Sequence, residues 1–249
     1  MDNTLYVALS QQTALERQMD VVANNLANMN TTAFKRESVL FQQYLKDTKT
    51  PAASNGQTGD IAFVFDYGVA RNYSAGELIP TGNVYDVAVT DRGFLEVQGP
   101  NGETMYTRNG HMQRTADGVL VTSSGAPVLD SDGNTIDIAE NELQIKIAKD
   151  GTISGSSGQL AKLAIVEFAP EDEQSIEKAG NSLFTSTAKP QPAVKAQVLQ
   201  GMVEGSNVEP IKEMTTMMQI ARAYEQTARM LEDYQKMQTS ATTSLGKVQ

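Results

Sequence analysis

The residues that could do chemistry are few and scattered. Asp130-Ser131-Asp132-Gly133-Asn134-Thr135-Ile136-Asp137 resembles a calcium loop, because oxygen-bearing side chains recur at alternate positions. A calcium loop of the helix–loop–helix type needs its glycine sixth and a glutamate twelfth. Here the glycine is fourth, so the run reads as a hairpin turn. His111 is the single histidine and there is no cysteine. That removes thiolate catalysis, disulfides and cysteine-based zinc sites, and leaves His111 as a surface or hairpin residue. Glu140/Glu142 and Glu171/Asp172/Glu173 could be acid–base pairs, but their polar neighbours read as solvated loops. Neither a Gly-x-Ser-x-Gly elbow nor a Gly-x-x-x-x-Gly-Lys-Ser/Thr phosphate loop occurs. No catalytic residue, metal ligand or cofactor site is expected, and the chain does not read as an enzyme.

Charge narrows the partners. The chain has 249 residues and a net charge of −10, from 20 basic and 30 acidic side chains. Nucleic acid is excluded, because phosphate binding needs a basic stripe. Residues 1–46, 47–59 and 206–249 are each electrically balanced, and residues 60–205 carry the whole excess, with ten basic and twenty acidic groups. Neutral ends can pack against copies of themselves, while an acidic middle stays solvated. No run approaches the roughly 18 apolar residues of a membrane-spanning helix. The opening Met1-Asp2-Asn3-Thr4 lacks the basic and apolar regions of a cleaved signal peptide.

The elements that would position functional residues are two helices and a β-rich middle. Leu5, Ala8, Gln12, Leu15, Met19, Val22 and Leu26 step by three and four, the a/d spacing of a heptad. That helix should end near Asn28, at Asn-Met-Asn-Thr-Thr. Met217, Ile220, Tyr224, Thr227, Leu231, Tyr234, Gln238, Ala241 and Leu245 repeat the pattern, and Met214, Met218, Ala221 and Ala228 widen the stripe. Pro210 suits a first helical turn, with Asn207 or Glu209 as cap. Between the helices, Asp86–Thr90, Gly93–Gln98, Thr104–Arg108, Val119–Thr122 and Ala161–Phe168 are strand candidates. Asn-Gly and Asp-Gly turns punctuate them. Residues 151–158 and Thr185–Pro192 read as a flexible tip and a linker.

The spacing therefore predicts an α+β fold: N- and C-terminal helices paired as a coiled coil, with an antiparallel β-rich central domain. The domains are 1–46 (helix and assembly motif), 47–59 (linker), 60–205 (acidic β domain) and 206–249 (C-terminal helix). Helices at opposite ends meet only if the middle closes on itself between them. One helix pair cannot bury both seams and the extra methionine stripe, so the surplus apolar surface calls for further neighbours. Heterologous contacts that do not close give a helical tube or filament. Helices packed onto their own domain are the plainer alternative.

Several runs bear on that choice. Val21-Val22-Ala23-Asn24-Asn25-Leu26-Ala27-Asn28-Met29-Asn30-Thr31-Thr32-Ala33-Phe34-Lys35-Arg36 resembles the N-terminal signature of the flagellar rod and hook family. Thr81–Val89, Gly93–Val97 and Tyr106-Thr107-Arg108-Asn109-Gly110 look like that family's β-domain run. Ser206–Met214, with Arg222-Ala223-Tyr224-Glu225, looks like its C-terminal signature. The resemblance covers three regions in order, nearly end to end. Length and the opening residues look most like the proximal-rod members, with distal-rod and hook-type members as alternatives. Ala33 stands where many members carry glycine, and its Cβ disfavours positive φ.

The resemblance implies a structural subunit of the rod in the basal body, within the periplasmic space. It also implies export through the flagellar type III apparatus without a cleaved signal peptide. Its partners would be other copies of itself and the other rod proteins, proximal and distal. The end helices would form the inner tube and the β domain an outer layer, together transmitting torque. Candidate assembly residues are Leu5, Ala8, Leu15, Met19, Val22 and Leu26 on the first helix, and Met214, Met217, Ile220, Tyr224, Leu231 and Tyr234 on the second. Asn24, Asn25, Asn28, Asn30, Phe34 and Asn207 join them from the signatures. The asparagines have two readings: turn chemistry at a helix end, or amides bonding a neighbouring subunit. A soluble coiled-coil oligomer presenting a β-domain binding module is the competing class; it predicts a closed oligomer with protected helices.

Overall fold

The computed structural model describes residues 3–47, 60–142 and 144–245, and shows an α+β chain. Helix α1 spans Asn3–Ala27 and α2 spans Pro210–Leu245. The first strands are β1 (Glu37–Asp47), β2 (Asp60–Arg71), β3 (Leu78–Pro80), β4 (Val87–Val89), β5 (Phe94–Gln98) and β6 (Thr104–Thr107). Then come β7 (Met112–Arg114), β8 (Leu120–Thr122), β9 (Lys146–Ile147), β10 (Thr152–Gly155), β11 (Gly158–Lys162) and β12 (Ile165–Glu167). The last are β13 (Ile176–Gly180), β14 (Leu183–Ser186), β15 (Gln191–Pro192), β16 (Val198–Gln200) and β17 (Met202–Glu204).

Two compact units are built from interleaved segments. The first takes 1–27, 37–71 and 209–249; the second takes 28–36 and 72–208. The first holds α1, α2 and the β1–β2 ribbon. Helix α1 stops where Asn28 begins the turn residues. Pro210 opens α2, where a missing N–H costs nothing, and the Glu209 carbonyl accepts the Glu213 amide at 3.1 Å. The ribbon is antiparallel from Glu37↔Arg71 to Asp47↔Asp60, with a bulge between Leu40 and Phe41. A lone two-stranded ribbon is marginal in water; this one packs on α1. The predicted linker at 47–59, apart from Asp47 at the end of β1, lies outside the described residues.

The second unit carries the β-rich centre. Its main sheet runs β13-β14-β6-β5-β12-β15, every pairing antiparallel. Alternation along β5 splits its side chains between two clusters. Leu95 and Val97 join an aliphatic core with Met112, Leu120, Ile136, Ile138 and Ile153. Phe94 joins Tyr73, Tyr106, Phe168 and Phe184, whose rings meet edge to face at 5.0–6.2 Å. The Asp-Gly turns form as read, with Gly118 and Gly151 at φ 95° and 84°. Gly110 is required for another reason: a Cβ there would lie 1.8 Å from the Val87 carbonyl oxygen.

Four readings of the middle change. Ala161–Phe168 is not one strand. It breaks at Leu163-Ala164, whose amides bond Gly151 and Leu129, so β11 and β12 belong to different sheets. Residues 151–158 are not a loose tip but β10, a tight turn and the start of β11. The stretch Thr185–Pro192 holds the end of β14 and edge strand β15. Glu142 is buried rather than solvated, because its carboxylate accepts the Ser156 amide. The Ser157 hydroxyl, with further bonds from Ser156 and Ser157, holds its carboxyl below the usual carboxylate range. Asp130 does close a hairpin, its Oδ1 accepting the amides of Asp132 and Asn134 at 2.9 and 2.8 Å.

Candidate assembly site

Within the helical unit, the predicted seam faces inward in part. Ala8, Val22 and Ile220 are buried; Leu15, Met19, Leu26, Met217, Tyr224, Leu231 and Tyr234 are half-buried. Gln12, the polar member of the first seam, donates from Nε2 to the Tyr224 hydroxyl at 2.8 Å, joining α1 to α2. Leu5 and Met214 are 38% and 46% exposed. Other apolar residues of the two helices are open as well: Leu9 at 54%, Met218 at 53%, Met230 at 48% and Met237 at 64%. The side chains of Gln238, Ala241 and Leu245 lie outside the described residues.

Asn25, near the C-terminal end of α1, is fully buried. Its Nδ2 donates to the Glu37 carbonyl (2.8 Å) and to Glu213 Oε2 (3.1 Å). Its Oδ1 accepts the Glu37 amide at 2.9 Å. One side chain thus ties α1, β1 and α2. A buried amide with three partners is both satisfied and restrictive. Asn24 and Asn30 are exposed, and Asn28 is half-buried, taking the Thr31 hydroxyl on its Oδ1 at 3.1 Å. That last contact is turn chemistry.

The β-rich unit has its own joint, where the chain leaves at Arg36 and returns at Asn72. The Asn72 amide donates to the Arg36 carbonyl at 2.9 Å. Asn207 closes the crossing: its Oδ1 accepts the Arg36 amide (2.7 Å), and its Nδ2 donates to the carbonyls of Asn72 (2.7 Å) and Ser74 (3.0 Å). Asn207 therefore does not cap α2. Phe34 is buried, with the Lys178 ammonium 4.8 Å from its ring centre.

Beside this crossing lies a charged cluster. The Glu204 carboxylate accepts Lys35 Nζ at 2.6 Å, Arg108 Nε at 2.9 Å and the Gly76 amide at 2.8 Å. All three charged side chains are at most 1% exposed. Lys35 also donates to the Ser74 carbonyl (2.8 Å), and Arg108 Nη2 to the Asp91 carbonyl (2.7 Å). The Arg108 guanidinium lies 5.5 Å from the Phe94 ring centre, and its Nη1 has no hydrogen-bond partner among the described residues. The cluster holds two cations and one anion. Burial, then the neighbouring guanidinium, pushes the Lys35 amine down to about 8. Burial alone would raise the Glu204 carboxyl, but the two cations outweigh it and hold it below its ordinary value.

Ala33 departs from expectation. It adopts φ 57° despite its Cβ, because its buried amide donates to the Glu204 carbonyl at 2.7 Å. Sequence reading passed over Lys35, Arg108, Glu204 and Glu213 as functional groups. The available signal was a single glutamate enclosed by apolar and small residues in Met202-Val203-Glu204-Gly205.

Residues 5–35 match the family described as flagella basal body rod protein. Residues 88–155 match the flagellar hook protein FlgE/F/G D1 domain, and 199–244 the flagellar basal body rod FlgEFG protein C-terminal region. The flagellar basal-body rod protein FlgF of Caulobacter vibrioides is 40% identical over 250 residues, covering 100% of both chains. FlgF of Rhizobium meliloti is 33% identical over 249 residues, 99% of each chain. FlgG of Agrobacterium fabrum is 31% identical over 264 residues, 97% of this chain and 98% of that one. With family models matching both ends and the middle, and full-length relatives above 30% identity, the chain belongs to the flagellar basal-body rod protein family, whose members are structural subunits of the basal body.

Proposed function

We propose that this subunit polymerises through its terminal helices, α1 and α2 pairing as a coiled coil inside a tubular rod that transmits torque. Open apolar surface left on the helical unit carries the reading. At 3.6 residues per turn, Ile211, Met214 and Met218 centre roughly 140° around α2 from the line of Ile220, Tyr224 and Leu231. Ile211 is 77% exposed. A helix apolar on two opposite faces has one face too many for a single neighbour. Removing each such side chain from water is worth about 1.5–3 kcal/mol, so further copies or other rod proteins, proximal or distal, would cover it. Thioethers suit this role, because their flexible chains fit slightly different neighbours around a tube. Stiffness then comes from close packing rather than chemistry. Delivery by the flagellar type III apparatus into the periplasmic space, without a cleaved signal peptide, completes the proposal, as does a structural role in place of catalysis.

The deciding experiment is Leu15→Asp combined with Leu231→Asp. Two half-buried carboxylates in the seam should abolish swimming and remove the subunit from purified basal bodies, while the β-rich unit keeps its melting transition. Normal swimming by the double variant would refute the seam.

A further inference from the structure

The charges of the β-rich unit are not evenly spread over its main sheet. At one edge, around β12 and β15, lies an open groove of about 690 Å³. Ile165, Pro192 and Val194 give it an apolar lining, and Lys149, Lys162 and Lys195 line it together with Glu96 and Asp150, three cations to two carboxylates. The lysines are three of the ten basic residues in the acidic stretch 60–205, and all three are exposed. Four other cations of the unit are engaged, Lys35 and Arg108 on Glu204, Arg92 on Glu173, and Arg114 on the Ile138 carbonyl, while Lys146 and Lys189 are exposed outside the groove. Val194, beside Lys195, is 90% exposed. An open valine between lysines in a chain of net charge −10 is an unusual surface.

The opposite edge of the same sheet is β13. The acidic run Glu171-Asp172-Glu173 leads into it, and Glu177 stands exposed upon it. Lys178 is turned to the Phe34 ring and Arg92 pairs with Glu173 at 2.8 Å, which leaves Glu171, Asp172 and Glu177 as the edge's surplus of negative charge. The two edges therefore have opposite character. Pairing of backbones cannot be what joins them, because β15 has two residues and one is Pro192, which has no N–H to offer. Contact there must be made by side chains.

We propose that the lysine-lined groove at the β15 edge receives the acidic β13 edge, Glu171 to Glu177, of a second copy of this chain. This rests on the polymerisation reading above. Charge complementarity chooses the occupant: the lysines meet carboxylates, Val194 meets apolar stem atoms, and like edges repel one another. Because groove and acidic edge are different surfaces, the contact is heterologous and passes from copy to copy without closing on a pair.

Because the chain has no cysteine, cross-linking has no background. Full-length chains carrying Val194→Cys and Glu177→Cys together are expressed in motile cells, and purified basal bodies are oxidised. The expected result is dimers and higher multiples of the chain on non-reducing gels, absent from either single variant. Basal bodies that contain the subunit but give no multiples would overturn the groove contact and leave the helical polymerisation intact. Capture of a different protein by Val194→Cys would overturn the choice of occupant. Absence of the unmodified subunit from basal bodies would overturn both readings.

Charge exchange supplies the second measurement. Lys162→Glu with Lys195→Glu should lower recovery of the subunit in basal bodies on the order of tenfold, as repulsion replaces attraction. Glu171→Lys with Glu177→Lys should do the same. Combining all four should restore recovery; a combination no better than either half overturns the proposal.

Discussion

The two units of this chain treat apolar surface in opposite ways. In the β-rich unit, seventeen aliphatic and methionine side chains form one buried cluster, and five aromatic ones with Ile176 form another. The helical unit leaves Leu9, Met214, Met218, Met230 and Met237 roughly half exposed or more. The β-rich unit also leaves Leu78, Ile79, Val84 and Val194 open, but around cores of its own; in the helical unit the open apolar residues are what the proposed polymerisation would cover. What the difference teaches is that a single chain can separate the task of folding from the task of assembling. Each task has its own polar fastening: Glu204 and Asn207 in one unit, Asn25 in the other.

Limited proteolysis of the isolated full-length protein puts the largest strain on this contrast. Cleavage within α1 and α2 should precede cleavage within 72–208, leaving that fragment as the resistant product. Helices that outlast the β-rich unit would mean that their exposed faces are already covered, as in a closed oligomer.

Glu204→Ala comes next. It strands two buried cations, and breaking a buried ion pair costs about 3–5 kcal/mol. Urea unfolding should show that loss in the β-rich unit alone; an equal loss in helix signal would dissolve the distinction between the units.

The pH dependence is a smaller effect with a definite sign. Lys35 has a folded pKa of about 8 against 10.5 for a free amine. Between those values the unfolded chain holds a proton that the folded chain has released. Stability from this group therefore rises from about pH 8 to about 10.5. Lys35→Met should flatten that rise, as measured by urea midpoints at pH 7.5 and pH 10. Glu204 acts at the acid end, where its contribution is lost as pH falls through its depressed folded value.

The smallest effect is at Ala33. Left-handed backbone costs a non-glycine residue roughly 1–2 kcal/mol, and glycine returns about 0.5–1 kcal/mol of that through chain entropy. Ala33→Gly should stabilise the β-rich unit by less than about 1 kcal/mol, read as a small rise in urea midpoint. Ala33→Val should move it the other way.

Legibility in the sequence followed the range of the forces involved. The end of α1 at Ala27, the start of α2 at Pro210 and the Asp-Gly turns are set by neighbours a few residues away, and were readable. The β1–β2 ribbon was not foreseen. Ile61-Ala62-Phe63-Val64-Phe65 has no alternation to announce a strand, and its partners are reached only across residues 48–59. The break at Leu163-Ala164 was hidden because its cause is Gly151 and Leu129. Nothing local to Asn25 announces that its amide bonds Glu37 and Glu213 of its own chain, the latter 188 positions away. Glu204 was equally silent, since its partners stand 169 and 96 positions away.

That last separation sets a schedule. While the chain is being made, Lys35 and Arg108 emerge long before the carboxylate that will neutralise them. Until residue 204 arrives, gathering the β-rich segments would mean removing two positive charges from water with no counter-ion. Loop closure over such a distance is also slow. A chain that stops before residue 204 is therefore expected to leave this unit open, which protease sensitivity of that fragment would show.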